Sequence, residues 1–292
     1  MIDLIVWIVG NLLMAPWNLL RALANPGAWL DWSNGESLVR FIYYGGSSEL
    51  FFVALALFLV FTALGVWRTG LLWGAVRGLE AMANGVGRVV ALAGLLMVLQ
   101  QIVIALSQRV FASAQLGFGF GTTFSFDVSW WSEELRLYNA MIVALCCAYT
   151  YVQKGHVRVD LLYEPASYRT KKVIDMAGAL IFMMPLAVLI WMYAWYFMWR
   201  HLVTPKVSAS DQLDLMMRKA SILRWNVETV GFSPNGFNAY FLFKVLLLAF
   251  AGMVLLQAVA VFYRSYLEWR EGPAAEDRYL DRDVSDAAAS GP

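Results

Sequence analysis

The chain has 292 residues, 60% of them hydrophobic and only 15% charged, with a formal net charge of +1 and a mean hydropathy of +0.59. Soluble domains run nearer a quarter charged and half apolar, so this composition excludes an ordinary water-soluble fold. A charge balance near zero, with no clustered basic face, excludes a nucleic-acid footprint, and abundant Trp, Tyr and Phe supply the interfacial aromatics of an all-α, polytopic helical membrane protein.

A spanning helix needs about 20 mostly apolar residues. The first apolar stretch, 2–23, carries Asp3, Asn11, Pro16, Asn18 and Arg21, so it either spans or lies in the interface as an amphipathic helix. No Lys or Arg precedes its apolar part, which reads as a retained segment rather than a secretory signal. Residues 40–48, with Tyr43, Tyr44, Gly45 and Gly46, read as interfacial turn material. Clear spans follow at 50–67, 86–111, 135–152, 173–199 and 237–263. Cys146 and Cys147 are neighbours inside one of them, about 100° apart on a helix and without a metal set nearby, which makes them small buried hydrophobes. The Met- and Trp-rich stripe 183–199 reads as lipid-facing and packing surface. In the long connection 200–235, the pattern Leu213, Leu215, Met216, Met217, Ile222, Leu223, Trp225 predicts a short amphipathic helix on the membrane surface. Residues 265–292 turn polar and read as a disordered cytoplasmic tail.

Basic residues in short loops set orientation. The loop 154–172 holds Lys154, Arg158, Arg169, Lys171 and Lys172 against Asp160 and Glu164, and the loop 68–88 holds Arg68, Arg77 and Arg88 against Glu80. Both read as cytoplasmic. The segment 112–134 has acids but no Lys or Arg and reads as exterior. Basic residues in 200–235 then fall on the exterior side, where they can meet lipid phosphates.

Hydrophobicity alone does not explain residues 130–160. Trp130, Trp131, Ser132, Glu133 and Glu134 stand at one mouth of a span, and Lys154, Gly155, His156, Val157, Arg158, Val159 and Asp160 at the other, although ionised groups are expensive beside lipid. With these, Gln108-Arg109-Val110-Phe111 closes the preceding span, Glu228 and Gly231 precede the last, and Lys244 and Gln257 lie within it. The ordered set, over 86–264, resembles the small membrane subunit of tripartite ATP-independent periplasmic (TRAP) transporters, the DctQ type. The sequence departs from that pattern in the additional residues 1–85, a longer Gly- and Phe-rich stretch 112–130, and an extended connection before the last span. The resemblance implies a four-helix core at 86–264, an N-terminal extension at 1–85 with one spanning and one spanning or interfacial helix, and the tail 265–292. It also implies an accessory subunit of a bacterial inner-membrane symport system for organic acids, with both termini cytoplasmic. The partners it implies are membrane lipid, a large elevator-type permease subunit that carries the substrate and sodium sites, and a periplasmic binding protein.

The motif residues Arg109, Trp131, Glu133, Glu134, His156, Arg158, Asp160, Glu228 and Lys244 are candidates for subunit contact or for a structural role. A paired carboxylate invites general acid/base chemistry, but no nucleophile or metal set accompanies Glu133 and Glu134. On a helix starting near Ser132 they complement the dipole in the first turn with Ser132 as cap, or they meet a partner subunit. His156 and His201 fall on opposite sides of this topology, against a bis-His haem, and no cofactor or metal is implied. Arg158 can pair with Asp160 or reach lipid phosphate. Lys244 either snorkels or pairs with Glu228 or a motif glutamate. With no broken helix pair, inverted repeat or midplane cluster of polar residues in the sequence, the expected role is not enzymatic and not the transport pathway itself. A membrane anchor of a redox complex and the small subunit of a tripartite tricarboxylate transporter are the rival readings.

Overall fold

The structure is a computed structural model that describes residues 2–112, 115–119, 123–127, 130–155, 163–226 and 237–281. In chain order, α1 (Ile2–Ala24), the single turn α2 (Gly27–Leu30), α3 (Gly35–Gly45) and α4 (Ser48–Trp67) come first. A long α5 (Thr69–Ala105) continues into a π-helical turn, Leu106–Val110, and a hairpin of β1 (Gln115–Gly119) and β2 (Thr123–Asp127) leads to α6 (Trp131–Val152). Then come α7 (Tyr168–Gly178), a second π-helical turn at Ala179–Met183, α8 (Met184–Leu202), β3 (Val203–Thr204), α9 (Leu213–Ala220), β4 (Arg224–Trp225) and α10 (Phe241–Glu271).

Among the described residues, six helical stretches are long and apolar enough to cross a membrane: Asp3–Ala24, Ser48–Trp67, Thr69–Val110, Trp131–Val152, Tyr168–Leu202 and Phe241–Glu271. Their outer faces carry bare Leu, Val and Phe side chains that water would not tolerate, which is the mark of a multi-pass helical membrane protein. Three of the six are far longer than their apolar windows. At 1.5 Å per residue, the 42 residues of Thr69–Val110 reach about 63 Å, roughly twice the hydrocarbon thickness. The stretches of 35 and 31 residues at Tyr168–Leu202 and Phe241–Glu271 also overrun it. The sequence reading of 68–88 as a loop is therefore corrected, because helix continues through its charges.

One compact unit comprises Met1–Gly74 and Val188–Glu228. Within it α3 is a helix where turn material was expected at 40–48. Asn34 caps it by accepting from the Glu36 amide, and Leu38, Val39 and Ile42 are buried along one face. Its last carbonyls, which no helix can satisfy internally, accept from α8: Trp195 Nε1 to Ile42 O at 2.7 Å, Tyr196 Oη to Tyr43 O at 2.9 Å and Trp191 Nε1 to Gly45 O at 3.1 Å. A Cβ on Gly45 would overlap the Trp195 ring, so that glycine makes room for an aromatic lid rather than a turn. Phe41, Trp32, Trp195, Trp199 and Trp225 continue the lid as an aromatic cluster. The amphipathic helix expected near 213–223 is present as α9, which packs Met216 and Ala220 inward beside Gly35 of α3. These contacts group 188–228 with the N-terminal segment.

The other unit comprises Ala75–Ala187 and Thr229–Pro292. Here α10 lies along α6 and α7. α5 meets α6 at Gly87, where an added Cβ would overlap Tyr149, the small-residue approach typical of helices packed in lipid. Ala83, Ala148 and Val152 are buried together, with Met253 and Leu280 against them. β1 and β2 pair antiparallel with Gln115 opposite Asp127. The tail expected to be disordered from 265 is ordered to 281: α10 runs to Glu271, Gly272 takes φ +84° to turn the chain, and a 3-10 turn follows at Pro273–Ala275. Its acidic residues find cations, described below, which is why composition misled. Cys146 is half-buried and Cys147 exposed, a correction to the buried-hydrophobe reading, since a lipid-facing position places no demand for burial.

Candidate functional site

Both polar nodes of the second unit are built where helices emerge from their apolar windows. At one end, α6 begins at Trp131 with Trp130 at the N-cap and no side-chain cap bond. Ser132 therefore sits inside the first turn, which corrects its expected capping role. Glu133 and Glu134 occupy that turn as expected, facing the positive end of the helix dipole. They also clamp neighbouring helices. Glu133 Oε2 accepts from Tyr240 Oη at 2.7 Å, while Glu134 Oε2 accepts from Gln100 Nε2 at 2.8 Å and its Oε1 from Tyr138 Oη at 3.0 Å. Donating to Glu133 raises the Tyr240 phenol above its ordinary pKa; desolvation and the Glu133 charge add to this, and Arg136 opposes it.

The other predicted residues at this end are dispersed. Trp131 is half-buried and meets Trp130 edge-on at 6.5 Å, while Trp130 stacks on Phe237 at 6.4 Å. Arg109 lies exposed in the π-helical turn that ends α5. Lys244 is half-buried in the first turn of α10, because that helix starts at Phe241 rather than at 237. His156, Arg158, Asp160 and Glu228 lie outside the described residues, and with them the expected pairings Arg158–Asp160 and Lys244–Glu228. His201, in the first unit, has Nδ1 2.7 Å from the Phe197 carbonyl.

The opposite end of the second unit holds a charge network that sequence reasoning had scattered among loops. Arg264 on α10 grips Glu80 on α5 with two bonds of 2.6 Å, Nε to Oε1 and Nη2 to Oε2, and reaches Glu268 one turn on at 3.3 Å. Lys172 on α7 meets Glu268 at 2.6 Å and Glu276 at 3.6 Å. The side chains of Glu80, Arg264, Glu268 and Lys172 are 4–12% exposed. Such a forked, desolvated pair tolerates no loss of one partner. Around it the segment after α10 is strapped down. Asp277 pairs with Lys154 at 2.5 Å and Asp281 with Arg88 at 2.9 Å. The Asp281 carbonyl accepts from Asn84 at 2.8 Å and Gln153 at 3.0 Å, and Tyr279 lies under Arg77 at 5.0 Å.

These groups line a partly open cavity of about 240 Å³ whose wall includes Glu80, Lys172, Gln257, Arg264, Ser265 and Glu268. Among the described residues no group of three or more His, Cys, Asp or Glu is arranged to hold a metal ion. This network stands where the helices emerge from their apolar windows, not at the midplane to which the expectation of no polar cluster referred. Arg264 and Glu268 at i and i+4 in the last span were the readable signal, while Glu80 and Lys172 were assigned to loops. Comparison of the chain with family models, curated proteins and solved structures gives no match.

Proposed function

We propose that this chain is the accessory small membrane subunit of a TRAP-type secondary uptake system for organic acids in a bacterial inner membrane. It packs on the static part of the large elevator-type subunit, widens its footprint in the bilayer and helps receive the periplasmic binding protein. The observation that carries this reading is the ordered motif set, from Gln108-Arg109 through Trp131-Ser132-Glu133-Glu134 to Lys244, set on a chain with six apolar helices. The carboxylates supply support of a second kind. Glu133 and Glu134 are engaged by Tyr240, Gln100 and Tyr138, which suits a rigid helix mouth presented to a partner rather than a proton-transfer pair. With six crossings the chain returns to its starting side, and the basic residues around Arg77, Arg88, Lys171 and Lys172 favour the cytoplasm as that side.

Reconstitution tests the proposal. Liposomes holding this chain alone are expected to show no sodium-driven organic-acid uptake, and uptake appears only with the large subunit and the binding protein. Robust uptake by the chain alone overturns the accessory role. In the assembled system, Glu133→Gln with Glu134→Gln is expected to reduce uptake more than it reduces subunit abundance. Unchanged uptake per assembled complex would reduce the pair to helix-end electrostatics.

A further inference from the structure

The polar face of α10 extends inward from the charge network. Gln257, Val261, Arg264, Ser265 and Glu268 all line the same cavity, at spacings of four, seven, eight and eleven residues from Gln257, which is one helical stripe. Gln257 lies seven residues before Arg264, about 10 Å farther along the helix toward the middle of the apolar window. It is 4% exposed, and among the described residues its Oε1 has no hydrogen-bond partner. A buried acceptor in that position costs stability unless something donates to it. The space beside it is large enough: about 240 Å³ exceeds several times the roughly 30 Å³ share of one water. The cavity wall holds Glu80, Asp175, Glu268 and Glu276 together with Lys154, Lys171, Lys172 and Arg264, so its charges balance and favour no ion of one sign. Glu276 and Leu280, from the segment after Gly272, complete the wall.

We propose that this cavity is a binding site for a small hydrogen-bond donor, an N–H or O–H group that Gln257 Oε1 accepts, and that the segment 272–281 is its cover. The donor is either water or a small uncharged solute bearing an O–H or N–H group, in keeping with the balanced charges of the wall. Besides Lys172–Glu276 and the bonds from Asn84 and Gln153 to the Asp281 carbonyl, the cover is held by pairs at the surface, Lys154–Asp277 and Arg88–Asp281, whose side chains are 38–59% exposed. Pairs so placed are weak individually, which suits a cover that opens without unfolding the helices beneath it. The site stands independently of the accessory-subunit proposal, since it rests on α5, α6, α7 and α10 of this chain alone.

The test uses the full chain in liposomes with Cys146→Ala and Cys147→Ala, and Ser265→Cys as the reporter. Ser265 is buried and lines the cavity beside Arg264. The readout is the rate of modification by 2-aminoethyl methanethiosulfonate, a small ammonium-bearing reagent. The introduced thiol is expected to react in the folded protein, and roughly tenfold faster when Asp277→Asn and Asp281→Asn release the cover, the size that two partly exposed pairs supply. Slowing by acetamide, against sucrose at equal osmolality, assigns the site to a dissolved uncharged donor, and no slowing assigns it to water. A thiol that stays unreactive with or without the cover pairs, yet reacts after denaturation, overturns the proposal. Gln257→Leu provides a second measurement with no reporter. A donor-filled site predicts an unchanged or lower melting temperature, whereas a clear rise shows Oε1 to be dry and the cavity empty.

Discussion

Replacing Glu80 by Gln keeps the shape of the α5 side chain and removes one charge from a network in which charges are matched. Arg264 would retain Glu268, but Glu268 already receives Lys172 at 2.6 Å. Two cations would then share Glu268 among side chains 4–12% exposed, with only the partly exposed Glu276, 3.6 Å from Lys172, to relieve them. Breaking a buried pair by removing one partner costs about 3–5 kcal/mol, and the adjoining cavity, which can admit solvent, argues for the lower end. A loss of about 3 kcal/mol corresponds to a fall of roughly 6 °C in melting temperature for a chain of this size class. The assay is thermal unfolding of the full chain in detergent, followed by the monodisperse fraction on size exclusion. The decisive comparison is a double-mutant cycle. Glu80→Leu with Arg264→Leu removes the pair together and leaves Glu268 with Lys172, so the double variant should return to within about 1 kcal/mol of the parent. A melting temperature unchanged by Glu80→Gln, or single effects that simply add in the double variant, would refute the matched-network reasoning.

Gly87→Val should lower the melting temperature by the equivalent of about 1–3 kcal/mol, because its side chain would overlap Tyr149 and force α5 from α6. Gly94→Ala is the control: its Cβ meets Ile142 Cδ1 at an ordinary 3.7 Å, and the gain in helix propensity makes it neutral or slightly stabilising. Trp195→Phe keeps a ring over α3 but leaves the buried Ile42 carbonyl unpaired, for an expected loss of about 1–3 kcal/mol in the same assay. A chain begun at Arg68 should insert with α5 whole, whereas one begun at Gly85 discards Glu80 and Asn84 and should unfold at least as readily as Glu80→Gln; equal melting temperatures for the two would count against the role given to those residues.

How far the chain could be read from its letters depended on whether a residue's partner was local. The spans were legible because a run such as Ser48–Trp67 has no other stable place than lipid. The first-turn position of Glu133 and Glu134 was legible because it follows from where α6 starts. Helix ends were not, because a hydropathy window reports only the part of a helix that lies in hydrocarbon, and α5 continues through Arg77 and Glu80 after that window stops. Tyr43-Tyr44-Gly45-Gly46 misled for a related reason. Glycine was taken to mark a turn, whereas Gly45 is small because Trp195, 150 positions away in sequence, lies against it. The same distance hid the cavity. Gln257, Arg264 and Glu268 formed a visible helical stripe, but nothing local said that Glu80 and Lys172 would close on it, or that Asp277 and Asp281 would be drawn back from a polar tail onto Lys154 and Arg88. Charge pairs joining helices remote in sequence explain why an acidic, Ala-rich segment can be ordered here: its few carboxylates meet cations that the overrunning helix ends hold clear of lipid, where burying an unpaired charge would otherwise exclude both.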